Sequence, residues 1–209
     1  LNVKMGKKIR ELPFVKNFYV HPHAGDGGLA LGAALEVYSL NFSDKPLVFS
    51  MESASLGDEF SDVQIKETLQ KNKGIIFTKL QNLPRYVAKR ISEGVVVGWF
   101  QGRAEWGPRA LGQRSVLADP RRPEIKERIN KYLKKREWFM PFAPSILEEK
   151  MDKLLVNPVA SPFMTIAFDT PPFAKRTLKA AIHIDGTCRP QTVSKKVNSL
   201  YWQVICEFE

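Results

Sequence analysis

The chain has 209 residues, of which 44% are hydrophobic and 26% charged, a globular balance that excludes a disordered or low-complexity segment. Its net charge is +10, from 32 lysines and arginines against 22 acids, which favours phosphate-bearing partners without choosing among them. The longest apolar runs, such as 94–100, are too short to span a bilayer, and two cysteines, Cys188 and Cys206, cannot build a disulfide framework, so a soluble, cytoplasmic protein is expected. The chain starts at Leu1 without a methionine and closes on an amphipathic run, 202–208, with no stop signal; a piece of a longer protein is expected.

In chain order, 18–20 reads as a short strand, followed by a breaker-rich loop over 21–28. A helix is predicted over 29–40, with Gly28, Gly32 and Ala33 suited to close packing. The polar stretch 41–62, containing Pro46 and Gly57, reads as a domain junction, and 62–71 as a short helix. A helix is predicted over 84–93, with Pro84 in its first turn and Gly94 at its end. Strands are predicted at 95–100 and 114–118, separated by a long loop, and a helix over 123–134. Further strands are expected at 143–147, 164–168 and 180–184. Irregular alternation of strands and helices gives an α/β (α+β) class.

Three stretches carry candidate chemistry. The first, 102–115, holds Arg103, Glu105, Gly107, Arg109, Gly112, Arg114 and Ser115 directly after a buried strand. Glycines let a backbone approach a ligand, and arginines bind phosphate through paired donors; the competing structural reading is a surface loop whose arginines pair with nearby acids. The second is 134–145, where Lys134 and Arg136 would point the same way on an extended backbone and form a cationic clamp beside aromatic residues. A helix C-terminus whose basic residues offset the dipole is the alternative there. The third, 183–192, is a strand, an Asp-Gly turn and the isolated Arg189. No GxxxxGK[ST] loop is present. The Gly25-x-Gly27-x-x-Ala30 pattern is a poor dinucleotide fingerprint, because Asp26 would oppose a pyrophosphate. His21, His23 and Asp26 resemble a metal site interrupted by Pro22. His183 and Asp185 have no serine brought to them by the sequence.

The run GRAEWGPRALGQRSVLADPR, 102–121, resembles the C-terminal region of the NodU/TobZ family of carbamoyltransferases. Segments 129–145, 161–164 and 183–193 agree in order and spacing, and GDGGLALGAA, 25–34, resembles the closing motif of that family's actin-like, ATPase-fold domain. The resemblance implies an actin-like remnant over 1–40, a linker over 41–74, and a YrdC-like domain over 75–209, a mixed twisted sheet with flanking helices, incomplete at its C-terminus. It implies ATP-dependent activation of carbamoyl phosphate to a carbamoyl-adenylate, and transfer to a substrate hydroxyl in the actin-like domain with Fe(II) or a similar metal. Lys134 and Arg136 match the family's phosphate-holding Lys-x-Arg pair. Arg103, Glu105, Gly107, Arg109, Arg114, Ser115, Arg189 and Gln191 would line the same pocket, with Arg103, Lys134, Arg136 and Arg189 carrying the catalytic charge. Asp26 occupies the place of a metal-binding aspartate, but the family's histidine ligands belong to the domain that is nearly all missing. That domain is the implied partner, and a homodimer the implied assembly.

Two other functions compete. An RNA- or nucleotide-binding module without transferase activity would use the +10 charge through the phosphate backbone and weaken steeply with salt. The arginines lie in Gly/Pro-punctuated loops rather than in a stripe with stacking aromatics, which favours a pocket. A non-catalytic scaffold would require Arg103, Arg136 and Arg189 to be buried and salt-bridged.

Overall fold

The computed structural model describes residues 2–42 and 50–209; Pro46, part of the expected junction, lies outside them. Helices start where the sequence supplies caps. Asn2 accepts the Met5 N–H at 3.0 Å to begin α1 (Val3–Arg10). A capping box of Ser61 and Gln64 begins α3 (Asp62–Lys71). Asn82 and Pro84 begin α4 (Leu83–Ser92), which ends at Gly94 with φ +87°. Helix α2 (Leu29–Asn41) follows a 3-10 turn at Asp26–Gly28, as expected from the sequence.

The main core forms where α4 packs along α8 (Ser199–Phe208) over β1 (Val97–Phe100) and β2 (Arg114–Leu117). Val87 and Ile91 of α4 meet Tyr201, Val204 and Ile205 of α8, with Trp99, Leu117 and Leu147 beneath. Each such side chain contributes about 1.5–3 kcal/mol by leaving water. A second core joins Ile146, Leu155, Ile166, Phe168 and Cys188. Helix α1 lies against it: Gly6 faces Phe18, and Lys7 and Lys4 reach Asp169 and Asp185, both at 2.7 Å.

Among the described residues the strands pair as three two-stranded ladders, a small-sheet α+β arrangement. β1 and β2 are antiparallel. β3 (Ser145–Leu147) and β6 (Gln191–Val193) are parallel. β4 (Phe168–Asp169) and β5 (Thr187–Cys188) are antiparallel. No helix of the described residues is long and apolar enough to cross a membrane.

Several expected elements differ. Residues 18–20 make no ladder, because a short apolar run does not specify a strand partner. The strand expected at 164–168 is reduced to Phe168–Asp169; Met164 is left-handed, φ +55°, which breaks an extended run. The apolar run 180–184 is not a strand. Lys179–Ala181 is a 3-10 turn whose Ala180 N–H reaches the Pro120 carbonyl, so its apolarity reflects a buried wedge. The helix expected over 123–134 is α5 (Pro123–Arg128) continued by a π turn, Ile129–Lys134. Helix α1 and the short α7 (Pro172–Thr177) were not anticipated; α1 buries only Gly6 fully. A four-residue helix, α6 (Met151–Leu154), completes the set.

Candidate anion-binding site

The β1–β2 hairpin carries the arginine-rich loop and holds its neck closed. Trp99 Nε1 and Gln101 Nε2 both donate to the Gly112 carbonyl, at 2.9 and 2.8 Å. The Arg114 guanidinium donates to the carbonyls of Gln101 and Gly102 at 2.6 and 3.1 Å and lies 3.6 Å from the Phe100 ring centre. Glu105 Oε1 accepts three backbone N–H groups, those of Leu111, Gln113 and Arg114, at 2.7, 2.7 and 3.1 Å. Ser115 Oγ accepts the Gly112 N–H at 2.9 Å. Gly107 and Gly112 hold φ of +111° and +95°, and a Cβ on Gly112 would stand 2.4 Å from the Tyr201 ring. Glu105, Arg114 and Ser115 therefore shape the loop with the groups that a ligand would otherwise engage.

Residues 51–58, within the expected linker, brace the loop from outside. Trp106 N–H donates to the Ala54 carbonyl at 2.7 Å, Gly57 N–H to Ala104 at 2.9 Å, and Ala104 N–H to Asp58 at 3.0 Å. Arg103 donates to the carbonyls of Gly57 and Leu56 at 3.0 and 3.3 Å. On the other side, the Trp106 ring lies between His21 and His23, with ring centres 5.1 and 5.2 Å away.

Three arginines from separate segments converge. Burial pulls Arg189 down to about 10, and the charges of Arg109 and Arg136 add to the effect. Arg136 is lowered by burial and then by Arg109. Among the described residues no acid pairs with either of them. Arg189 Nε is buried without a hydrogen-bond partner. By contrast, Arg121 and Arg122 share buried Asp119, at 2.7 and 3.4 Å. Like charges left unneutralised and partly desolvated are costly unless an anion joins them. Gln191 ties this region to the loop: its Nε2 donates to the Leu111 carbonyl at 2.8 Å and its Oε1 accepts from Ser145 at 3.3 Å. A cavity of about 310 Å³ behind Gln191 is lined by Leu111, Gln113, Thr192 and residues 52–55.

The expected Lys134–Arg136 clamp takes another form. Lys135 is left-handed, φ +48°, so the backbone between the two cations is not extended, and Lys134 stands exposed at the end of the π turn. Arg136 instead donates Nε to Asn130 Oδ1 at 2.7 Å and lies 4.6 Å from the Phe142 ring centre. Asn130 carried no role of its own in the sequence, where it stood only within the 129–145 segment of the family resemblance; it is fully buried.

Asp26 is exposed in its 3-10 turn. His21 Nδ1 accepts the His23 backbone N–H at 3.1 Å, and its buried Nε2 has no hydrogen-bond partner among the described residues. Among the described residues no three His, Cys, Asp or Glu side chains gather as metal ligands. The residues present do not fit the implied divalent ion by themselves. His183 and Asp185 form a turn rather than a triad: Thr187 joins them, at 3.0 Å to His183 Nδ1 and 2.7 Å to Asp185 Oδ1.

The sequence comparisons bear on the family. The family model described as "Carbamoyltransferase C-terminus" matches residues 88–209, which include all three converging arginines. "Nodulation protein NolNO" of Sinorhizobium fredii is 38% identical over 99% of the chain and 31% of its own length. "Nodulation protein NolO" of Bradyrhizobium diazoefficiens is 39% identical over 100% of the chain and 39% of its own length. "Uncharacterized protein MJ1058" of Methanocaldococcus jannaschii is 37% identical, over 100% and 35%. The chain thus spans about a third of the length of the curated relatives it matches. With the family model covering more than half of it, the chain belongs to the NodU-type carbamoyltransferases and corresponds to their C-terminal region.

Proposed function

We propose that this region activates a carbamoyl group: carbamoyl phosphate gives up its phosphate to water, the carbamate oxygen attacks the α-phosphorus of ATP with loss of pyrophosphate, and the carbamoyl-adenylate so formed is passed by the rest of the protein to a hydroxyl with release of AMP. The observation that carries the reading is the convergence of Arg109, Arg136 and Arg189 with no acid among the described residues to neutralise them. Two polyanionic reactants repel each other, and fixed cations both bring them together and stabilise charge at the phosphoryl centre. The scaffold reading lacks support, since among the described residues neither Arg103, Arg136 nor Arg189 makes a salt bridge. In this proposal Arg103 and Arg114, engaged with backbone carbonyls, shape the pocket, and Lys134, exposed at its edge, meets the outer phosphates. Asp26 would contribute one ligand to a metal completed by the larger protein.

The test is calorimetric titration of ATP into the chain and into Arg136→Ala, at low and moderate salt. Saturable binding is expected, weakened about ten- to hundredfold by the substitution, because a charged hydrogen bond contributes about 1.5–3 kcal/mol. Equal ATP affinity of the two proteins, together with RNA binding that falls steeply with salt, would replace this reading with the nucleic-acid one.

A further inference from the structure

We infer that Asn130 is the positioning residue of the anion site, holding the Arg136 guanidinium in place against the repulsion of Arg109 and Arg189 without neutralising it. The inference rests on the reading of these arginines as a phosphate site. The backbone carbonyl and both side-chain polar atoms of Asn130 are committed to the segment that carries Arg136. Its carbonyl accepts the N–H groups of Lys135 and Arg136, the latter at 3.1 Å. Its Nδ2 donates to the carbonyls of Met140 and Trp138, at 2.9 and 3.3 Å. Its Oδ1 accepts Arg136 Nε at 2.7 Å. The residue is fully buried, so water does not compete for these bonds.

The chemistry explains the residue type. Arg136 is exposed and pressed by two like charges, and its other contacts, Nη2 to the Pro141 carbonyl at 3.5 Å and the Phe142 ring at 4.6 Å, are weaker than the Asn130 bond that holds it against solvent. A carboxylate in place of Asn130 would hold Arg136 more tightly but cancel the charge meant for the ligand. It would also leave the Trp138 and Met140 carbonyls without donors. An amide does all three tasks: it accepts from the cation, donates twice to the loop, and stays neutral. Its place at the start of the π turn is what lets one residue face all of 135–140. The Lys135 N–H reaches back five residues to the Asn130 carbonyl, and the chain then folds over the side chain.

The test is a double-mutant cycle on the full chain, reading ATP affinity by calorimetry for Asn130→Ala, Arg136→Ala and the pair, with Tm recorded for each. Expected are a loss of about tenfold in each single variant and a double variant no weaker than Arg136→Ala alone. Asn130→Ala binding like the parent, while Arg136→Ala is weakened, would overturn the positioning role and leave the site standing. Arg136→Ala binding like the parent would remove the site itself. Because Asn130→Ala also loosens the loop, a second measurement uses the unsubstituted protein. Hydrogen exchange of the Arg136 side-chain Nε–H, followed by NMR, is expected to be much slower than that of exposed Arg85. Equal rates would overturn the inference without any variant having to fold.

Discussion

At the scale of single residues, Glu105 shows how one charge organises many neutral groups. Its Oε1 gathers three backbone N–H donors that no strand or helix would otherwise satisfy. Glu105→Ala would leave these donors to water or unpaired. Each lost charged bond costs about 1.5–3 kcal/mol, though relaxation shares the loss. Expected are a stability loss of a few kcal/mol in urea titration and weaker ATP binding; unchanged stability would mean the loop closes without it. His183 and Asp185 both contribute to the acid response. Burial holds His183 below its ordinary 6.5, outweighing the pull of Asp185, with Arg189 and Lys4 also lowering it. For such a base the unfolded chain takes the proton first, so stability is full above about pH 6.5 and falls as the pH drops below it. Asp185, held well below its ordinary 3.8 first by Lys4, adds stability that is present above that value and lost beneath it. Urea midpoints should therefore decline in two windows, one opening near pH 6.5 and one near pH 4. His183→Asn is expected to flatten only the first; a decline unchanged by that substitution would place the titrating group elsewhere.

At the scale of elements, the helices were legible and most strands were not. Caps and breakers are local, so Ser61, Asn82, Pro84 and Gly94 marked α3 and α4 in the sequence itself. Ladders of two or three residues depend on partners far along the chain, as Ser145 does on Gln191, and no local pattern encodes that. The candidate site divides in the same way. Clusters of arginine and glycine marked candidate segments in the sequence, but the convergence of Arg109, Arg136 and Arg189 is a product of the fold. So is the diversion of Glu105, Arg114 and Ser115 into loop closure. Helix α2 is the element where local and tertiary signals part. Its sequence is apolar around nearly the whole circumference, yet none of its residues is buried, and Leu29 and Leu40 are 70% and 72% exposed. A thirteen-residue helix without packing is marginal in water. Amide exchange in α2 is expected to be fast compared with α8, whose Tyr201, Val204 and Ile205 anchor the core. Protection equal to that of α8 would show that another surface covers α2 in solution.

At the scale of the whole molecule, two kinds of positive charge must be separated. The +10 excess is spread over the surface, and any salt relieves it over a Debye length of about 8 Å at physiological ionic strength. The arginine convergence is different, because Arg189 is largely desolvated and its orphaned Nε needs an acceptor rather than a diffuse atmosphere. Matched ionic strengths of chloride and pyrophosphate should therefore not stabilise the protein equally. A ligand present at 100 times its Kd adds about 2.7 kcal/mol to the folded state. For a chain of this size that corresponds to a rise in Tm of about 5–10 °C. Pyrophosphate is expected to produce a rise of that order over chloride, and Arg189→Ala to abolish most of the difference while leaving the response to chloride intact. A pyrophosphate effect that survives both Arg189→Ala and Arg136→Ala would mean that the anion acts on the general surface charge, and the convergence would then be a cost of the fold rather than the place where its substrate binds.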